Sequence, residues 1–153
     1  METIIALLPV AYLVLMAVPL LVVDIKQGRL PNKIVLPLIA ITFLSQLVSA
    51  IFYGAWASFG ISLGLGLVVI VLGVFINHFG YIGMGDVKLM SALTMLLASF
   101  TTLGAILLMP ASIVFGFLFA VIFLSKSKLV KFPLAPIIIA TFVLFITLEL
   151  VSK

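Results

Sequence analysis

The sequence predicts an all-α polytopic membrane protein with about six transmembrane helices, and three observations predict it. Hydrophobic residues make up 66% and charged residues 8% of the 153-residue chain, whereas a soluble domain carries roughly a quarter charged residues. The apolar residues form runs, and crossing the hydrocarbon takes about 20 of them per helix. Charged and turn-forming residues are gathered between those runs. Six spans leave little chain over, so residues 1–153 are expected to form a single integral membrane domain.

The first predicted helix covers roughly Thr3–Val23, with Pro9 and Pro19 as candidate kinks. It starts Met-Glu-Thr, without the basic stretch or small-residue cleavage site of a signal peptide, and is expected to be retained. The second runs from about Asn32 to Phe52, just after Pro31, whose fixed φ suits a helix start. The third covers about Ala57–Phe79 and contains Gly60, Gly64, Gly66 and Gly73. Of these, Gly60-x-x-x-Gly64 has the spacing that lets membrane helices approach closely. The fourth is short, about Asp86–Ser99. The fifth covers about Thr102–Leu124, and the sixth about Leu134–Val151. No charge marks the break between the fourth and fifth, but one span from Asp86 to Leu124 would be far too long.

Alternation of six helices puts Asp24, Asp86 and the Lys126–Lys131 loop on one side. That side then holds Lys26, Arg29, Lys33, Lys88, Lys126, Lys128 and Lys131, leaving only Lys153 opposite. The excess of Lys and Arg assigns it to the cytoplasm, with both termini outside, in a multi-pass protein of the inner (plasma) membrane. The same scatter of basic residues at the ends of apolar runs argues against nucleic acid as a partner, despite a net charge of +4. With no cysteine and a single histidine, thiolate or histidine-rich metal sites are excluded, and no cofactor is expected.

Asp24 and Asp86 are the two residues that carry chemistry. Apart from Glu149 they are the only acids inside the chain. A charged side chain at mid-bilayer costs about 2.5–3.5 kcal/mol on insertion scales, so acids kept in such a chain point to function. Asp24 opens D-I-K-Q-G-R-L-P-N and Asp86 closes G-M-G-D. Two carboxyl groups sharing a proton can activate a water and protonate a leaving amine without metal, serine or cysteine. Gly83 and Gly85 would allow positive φ and close approach of a substrate backbone. Pro31 stiffens the segment after Asp24, and Asn32 can hydrogen-bond the backbone there. Lys88 reads as an anchor that snorkels to the interface.

These segments resemble the prepilin peptidase, or type IV leader peptidase, family of polytopic aspartic proteases. Asp24, Leu30, Pro31 and Asn32 match its first pattern; Gly83, Gly85, Asp86, Lys88 and Leu89 match its second, G-x-G-D. Phe132-Pro133-Leu134-Ala135-Pro136 is similar to the proline-bearing start of the family's last helix. The resemblance implies removal of the short basic leader of pilin-like precursors at the cytoplasmic face, with Asp24 and Asp86 catalytic. Larger members that also methylate the mature pilin carry an additional segment with paired cysteines. This chain has none, so it resembles the peptidase-only branch and no methyltransferase activity is expected. The competing reading is a proton- or cation-coupled transporter or channel subunit, which calls for an internal repeat or acids deep within helices.

The expected leader is basic, and so is the expected inner face. The lipid bilayer is therefore expected to be the partner that accommodates the leader's charge, through anionic head groups. Cleavage in liposomes containing anionic lipid is expected to be faster than in purely zwitterionic ones; equal rates would remove this role for lipid.

Overall fold

A computed structural model describes residues 2–27, 30–78, 83–98 and 135–151. Within them are five helices: α1 Glu2–Gln27, α2 Asn32–Tyr53, α3 Trp56–His78, α4 Met84–Leu97 and α5 Ala135–Val151. The described residues contain no β-strand. Helix α5 corresponds to the sixth predicted span. The fifth predicted span, its break from the fourth, and the Lys126–Lys131 loop lie outside the described residues.

Three stretches are long and apolar enough to cross a bilayer: Leu7–Asp24, Asn32–Tyr53 and Trp56–His78. Their outward faces carry apolar side chains such as Val14, Leu15, Phe52 and Val71, each well over half exposed. Such a surface belongs in lipid, and this is a membrane protein. The apolar window of α5, Ala135–Leu144, is shorter.

The helix boundaries have local causes. Pro31, extended at φ −73° and ψ 127°, caps α2, and its carbonyl accepts the Ile34 and Val35 amides at 3.0 and 3.3 Å. Gly54 ends α2 with φ 70°, the left-handed conformation that glycine adopts without a Cβ clash. Trp56, Phe59 and Phe43 then stack edge-on around this turn. Two predicted boundaries move. Helix α1 continues past Val23 to Gln27, so Asp24 is part of the helix. Helix α4 begins at Met84, capped by Gly83, so Asp86 lies within its first turn and does not start it.

Helix α4 is the centre of the bundle. It packs against α2, α3 and α5, and α5 also touches α1. Val87 and every residue from Leu89 to Leu97 are buried. Lipid is as apolar as leucine, so such a helix is held by close van der Waals contact and not by exclusion of water. Small residues on α3 make that contact possible. A Cβ on Gly73 would overlap the Val87 side chain, and one on Gly66 would lie 2.5 Å from Met95 Cγ and 3.3 Å from Ser91 Oγ. The pair the spacing pointed to does not serve this purpose among the described residues, where a Cβ on Gly60 or Gly64 would meet nothing within 4 Å.

Gly73→Ala should therefore destabilise the bundle by about 1–3 kcal/mol, the cost of overpacking a tight contact. Gly60→Ala and Gly64→Ala should cause no loss. Thermal unfolding of the three variants in one detergent checks the contrast.

Candidate active site

Helices α2, α4 and α5 begin, and α1 and α3 finish, at one end of the bundle. Lys26, Lys33 and Lys88 lie in the terminal turns there, as do both aspartates. Each aspartate is placed by a different device.

Asp24 stands three residues before the end of α1 and is buried. Its Oδ2 accepts the backbone N–H of Ala135, the first residue of α5, at 3.1 Å. A helix N-terminus presents N–H groups that its own turns cannot use, together with the positive end of the helix dipole. The last helix thus holds the carboxyl of the first, across 111 residues of chain.

Asp86 is the third residue of α4. Its amide donates to the Gly83 carbonyl at 3.1 Å, and its side chain turns back to accept the Gly83 N–H. This is one half of a capping box, in which an acid in the first turn satisfies the cap residue's own amide. Asp86 is half-buried and lies within electrostatic reach of Asp24. Its Oδ1 is buried and has no hydrogen-bond partner among the described residues. The fold therefore brings the two acids of the sequence motifs together at one end of the bundle.

Both motif glycines are explained by contact and not by positive φ. Gly83 has φ −73°, open to any residue, but a Cβ there would sit 2.9 Å from Asp86 Oδ2. A Cβ on Gly85 would sit 2.7 Å from Leu30 Cβ, 3.0 Å from its carbonyl oxygen and 3.3 Å from its Cα. Backbone atoms cannot swing aside as a side-chain tip can. Gly85 thus lets the start of α4 rest on the Leu30–Pro31 segment that follows α1. Beside this contact Lys88 Nζ donates to Asn32 Oδ1 at 3.0 Å. Lys88 is therefore more than an interfacial anchor, and Asn32 uses its side-chain oxygen to tie α2 to α4.

A family model, the type IV leader peptidase family, matches residues 11–124. The chain belongs to the type IV leader peptidase family. The match spans the segments around Asp24 and Asp86 and stops short of Ala135. Searches of curated proteins and of solved structures find no match. As a leader peptidase the chain is a membrane-embedded member of a protease family, and that family processes pilin precursors.

Sequence reasoning marked 132–136 only as the start of a helix and missed the Ala135 amide as a partner of Asp24. A backbone N–H leaves no mark in residue identity, though the polar end of an apolar helix was a signal that something had to accept it. Leu30 was read as a motif residue and not as the surface against which Gly85 packs.

Gly85→Ala should lower peptidase kcat/KM by about tenfold or more, since α4 must shift against backbone. Asn32→Ala should cost less, about 0.5–1.5 kcal/mol for an exposed hydrogen bond. Circular dichroism should show unchanged helix content in both, and steady-state kinetics reads the difference.

Proposed function

We propose that this leader peptidase is an aspartic endopeptidase in which Asp24 and Asp86 are the catalytic pair. Its substrate is a type IV pilin-like precursor, and the bond it cuts joins the short basic leader to the mature protein. The observation that carries this reading is the meeting of two acids 62 positions apart in sequence, 24 to 86, within electrostatic reach at one end of a membrane bundle. No other acid among the described residues is placed to join them: Glu2 begins α1 and Glu149 lies near the far end of α5.

In the proposed reaction one carboxylate takes a proton from water as the oxygen attacks the scissile carbonyl carbon. The other carboxyl, holding the shared proton, gives it to the carbonyl oxygen. On collapse of the tetrahedral intermediate the first carboxyl passes the proton it took from water to the nitrogen as the C–N bond breaks, and the second takes one back from a hydroxyl of the intermediate, leaving a new carboxyl, a new amine and the starting pair. Two features support the assignment. The Ala135 amide holds Asp24 in place, and Asp86 Oδ1 is a buried acceptor with no hydrogen-bond partner among the described residues. Gly83 and Gly85 keep the start of α4 close to Asp86 and Leu30, while Pro31, Asn32 and Lys88 brace it.

The site is proposed to face the cytoplasm of a plasma-membrane protein, on the side to which the basic residues assign it. The lysines Lys26, Lys33 and Lys88 share the aspartates' end of the bundle, in keeping with that sidedness. The proposed activity is cleavage without methyl transfer. Both acids lie in terminal turns and not at mid-helix, which favours a hydrolytic site over an ion path through the bundle.

Co-expression of a pilin-like precursor with the native chain, Asp24→Ala and Asp86→Ala tests the pair. The size shift of leader removal is expected only with the native chain. Each substitution should lower kcat by about 10²–10⁴-fold, the usual contribution of general acid–base catalysis. Processing at the native rate by either variant would remove the aspartic mechanism.

A further inference from the structure

Deep in the bundle lies a polar cluster that the reaction does not use. Gln46 on α2, Ser62 on α3 and the Met95 carbonyl on α4 are joined to one another. Gln46 Nε2 donates to Met95 O at 2.5 Å, and Ser62 Oγ lies 2.9 Å from the same oxygen and 2.5 Å from Gln46 Oε1. Gln46 and Ser62 are both buried.

The place of this cluster along α4 gives it meaning. Met95 is in the last turn, where helical carbonyls run out of donors within their own helix. Helix α4 has 14 residues, about 21 Å at the usual rise, against about 30 Å of hydrocarbon. Its first turn is at the polar end of the bundle, so its last turn falls inside the apolar layer. A bare carbonyl there costs several kcal/mol in principle; the Gln46 amide of a neighbouring helix donates to it, and the one proton of the Ser62 hydroxyl is shared between it and Gln46 Oε1.

The same contact fixes register. Helices α2 and α4 run parallel and are hydrogen-bonded at two levels: Lys88 to Asn32 at the polar end, and Met95 to Gln46 inside. Two points of attachment set both the depth and the tilt of α4. With the inner one removed, α4 is tied to α2 only at its start and otherwise held by α3 through Ser91 and the contact at Gly73, so its tilt against α2 can change and the Asp86 carboxyl shifts with it.

We propose that Gln46 and Ser62 are positioning residues for the Asp86 carboxyl, acting through the Met95 carbonyl to fix the tilt of α4 against α2. The inference rests on Asp86 being half of the reactive pair. The Ser91 Oγ to Gly66 carbonyl bond of 3.0 Å and the close contact at Gly73 remain when the cluster is removed, so the bundle itself is kept.

Kinetics and thiol labelling of the full chain in detergent test it. The sequence has no cysteine, so Met84→Cys, at an exposed position in the first turn of α4, supplies a single thiol for a hydrophilic maleimide. In Gln46→Met/Ser62→Ala, kcat should fall by about tenfold with KM unchanged, as expected for loss of a buried hydrogen-bonded contact. The Met84→Cys thiol should label at an altered rate in the same background. Ser62→Thr keeps the hydroxyl and should keep native kcat and labelling. Gln46→Met alone should show the same changes to a smaller degree and serves if the double variant does not fold. Native kcat with native labelling in a folded variant lacking Gln46 overturns the proposal, as does equal loss in Ser62→Thr and Ser62→Ala. Absence of cleavage by the native chain would strike the protease reading instead, while labelling would still report the position of α4.

Discussion

Helix α4 is buried around almost its whole circumference, and this is possible because its neighbours omit atoms where it passes. Gly66 and Gly73 on α3 leave room for Met95 and Val87, and Gly85 on α4 leaves room for the backbone of Leu30. In lipid there is no water to squeeze out, so attraction between helices depends on how many atoms meet at van der Waals distance. A central helix with small residues around it maximises such contact. The carboxyl of Asp86 takes its position from that packing, because it stands on the first turn of the helix being gripped.

The two aspartates are held by unlike means, and the difference follows from where each stands on its helix. Asp24 is near a helix end whose own dipole is unfavourable to a carboxylate. It finds its donor in the start of another helix, at Ala135. Asp86 is near a helix start and finds a donor locally, in the Gly83 amide. The first arrangement needs the last helix to be folded in place; the second needs only one turn. The setting of the two acids is thus incomplete until α1 and α5 have met.

Polar groups inside the bundle obey one rule throughout. Thr42 and Thr94 return their hydroxyls to the carbonyls of Leu38 and Met90, four residues back, and Ser45 uses the carbonyl of Thr42. Ser62, Gln46 and Ser91 reach across to another helix. The first group stays within its own helix and sets no level between helices. The second links α2, α3 and α4 at defined levels, and hydrogen bonds hold a level better than apolar contact, which tolerates sliding.

Much of the fold could be read from the residue order alone. The lengths of the apolar runs, Pro31 before α2, and Gly54 after it are local signals, and the boundaries of α2 and α3 fall within a few residues of those expected. That Asp24 and Asp86 lie at one end of the bundle was legible too, because charge bias and helix alternation put them on one side. Which glycines matter was not. Gly60 and Gly64 have the recognised spacing but face none of the described residues, whereas Gly66 and Gly73 face α4, and spacing carries no information about facing. The Ala135 amide and the Lys88–Asn32 bond were equally hidden, since each joins positions distant in sequence through groups that many residues possess. Composition and pattern determined that this chain is a membrane bundle with two placed acids, because transfer into lipid acts on each segment separately. Their relation to one another was decided by tertiary packing, because it depends on which helix faces touch.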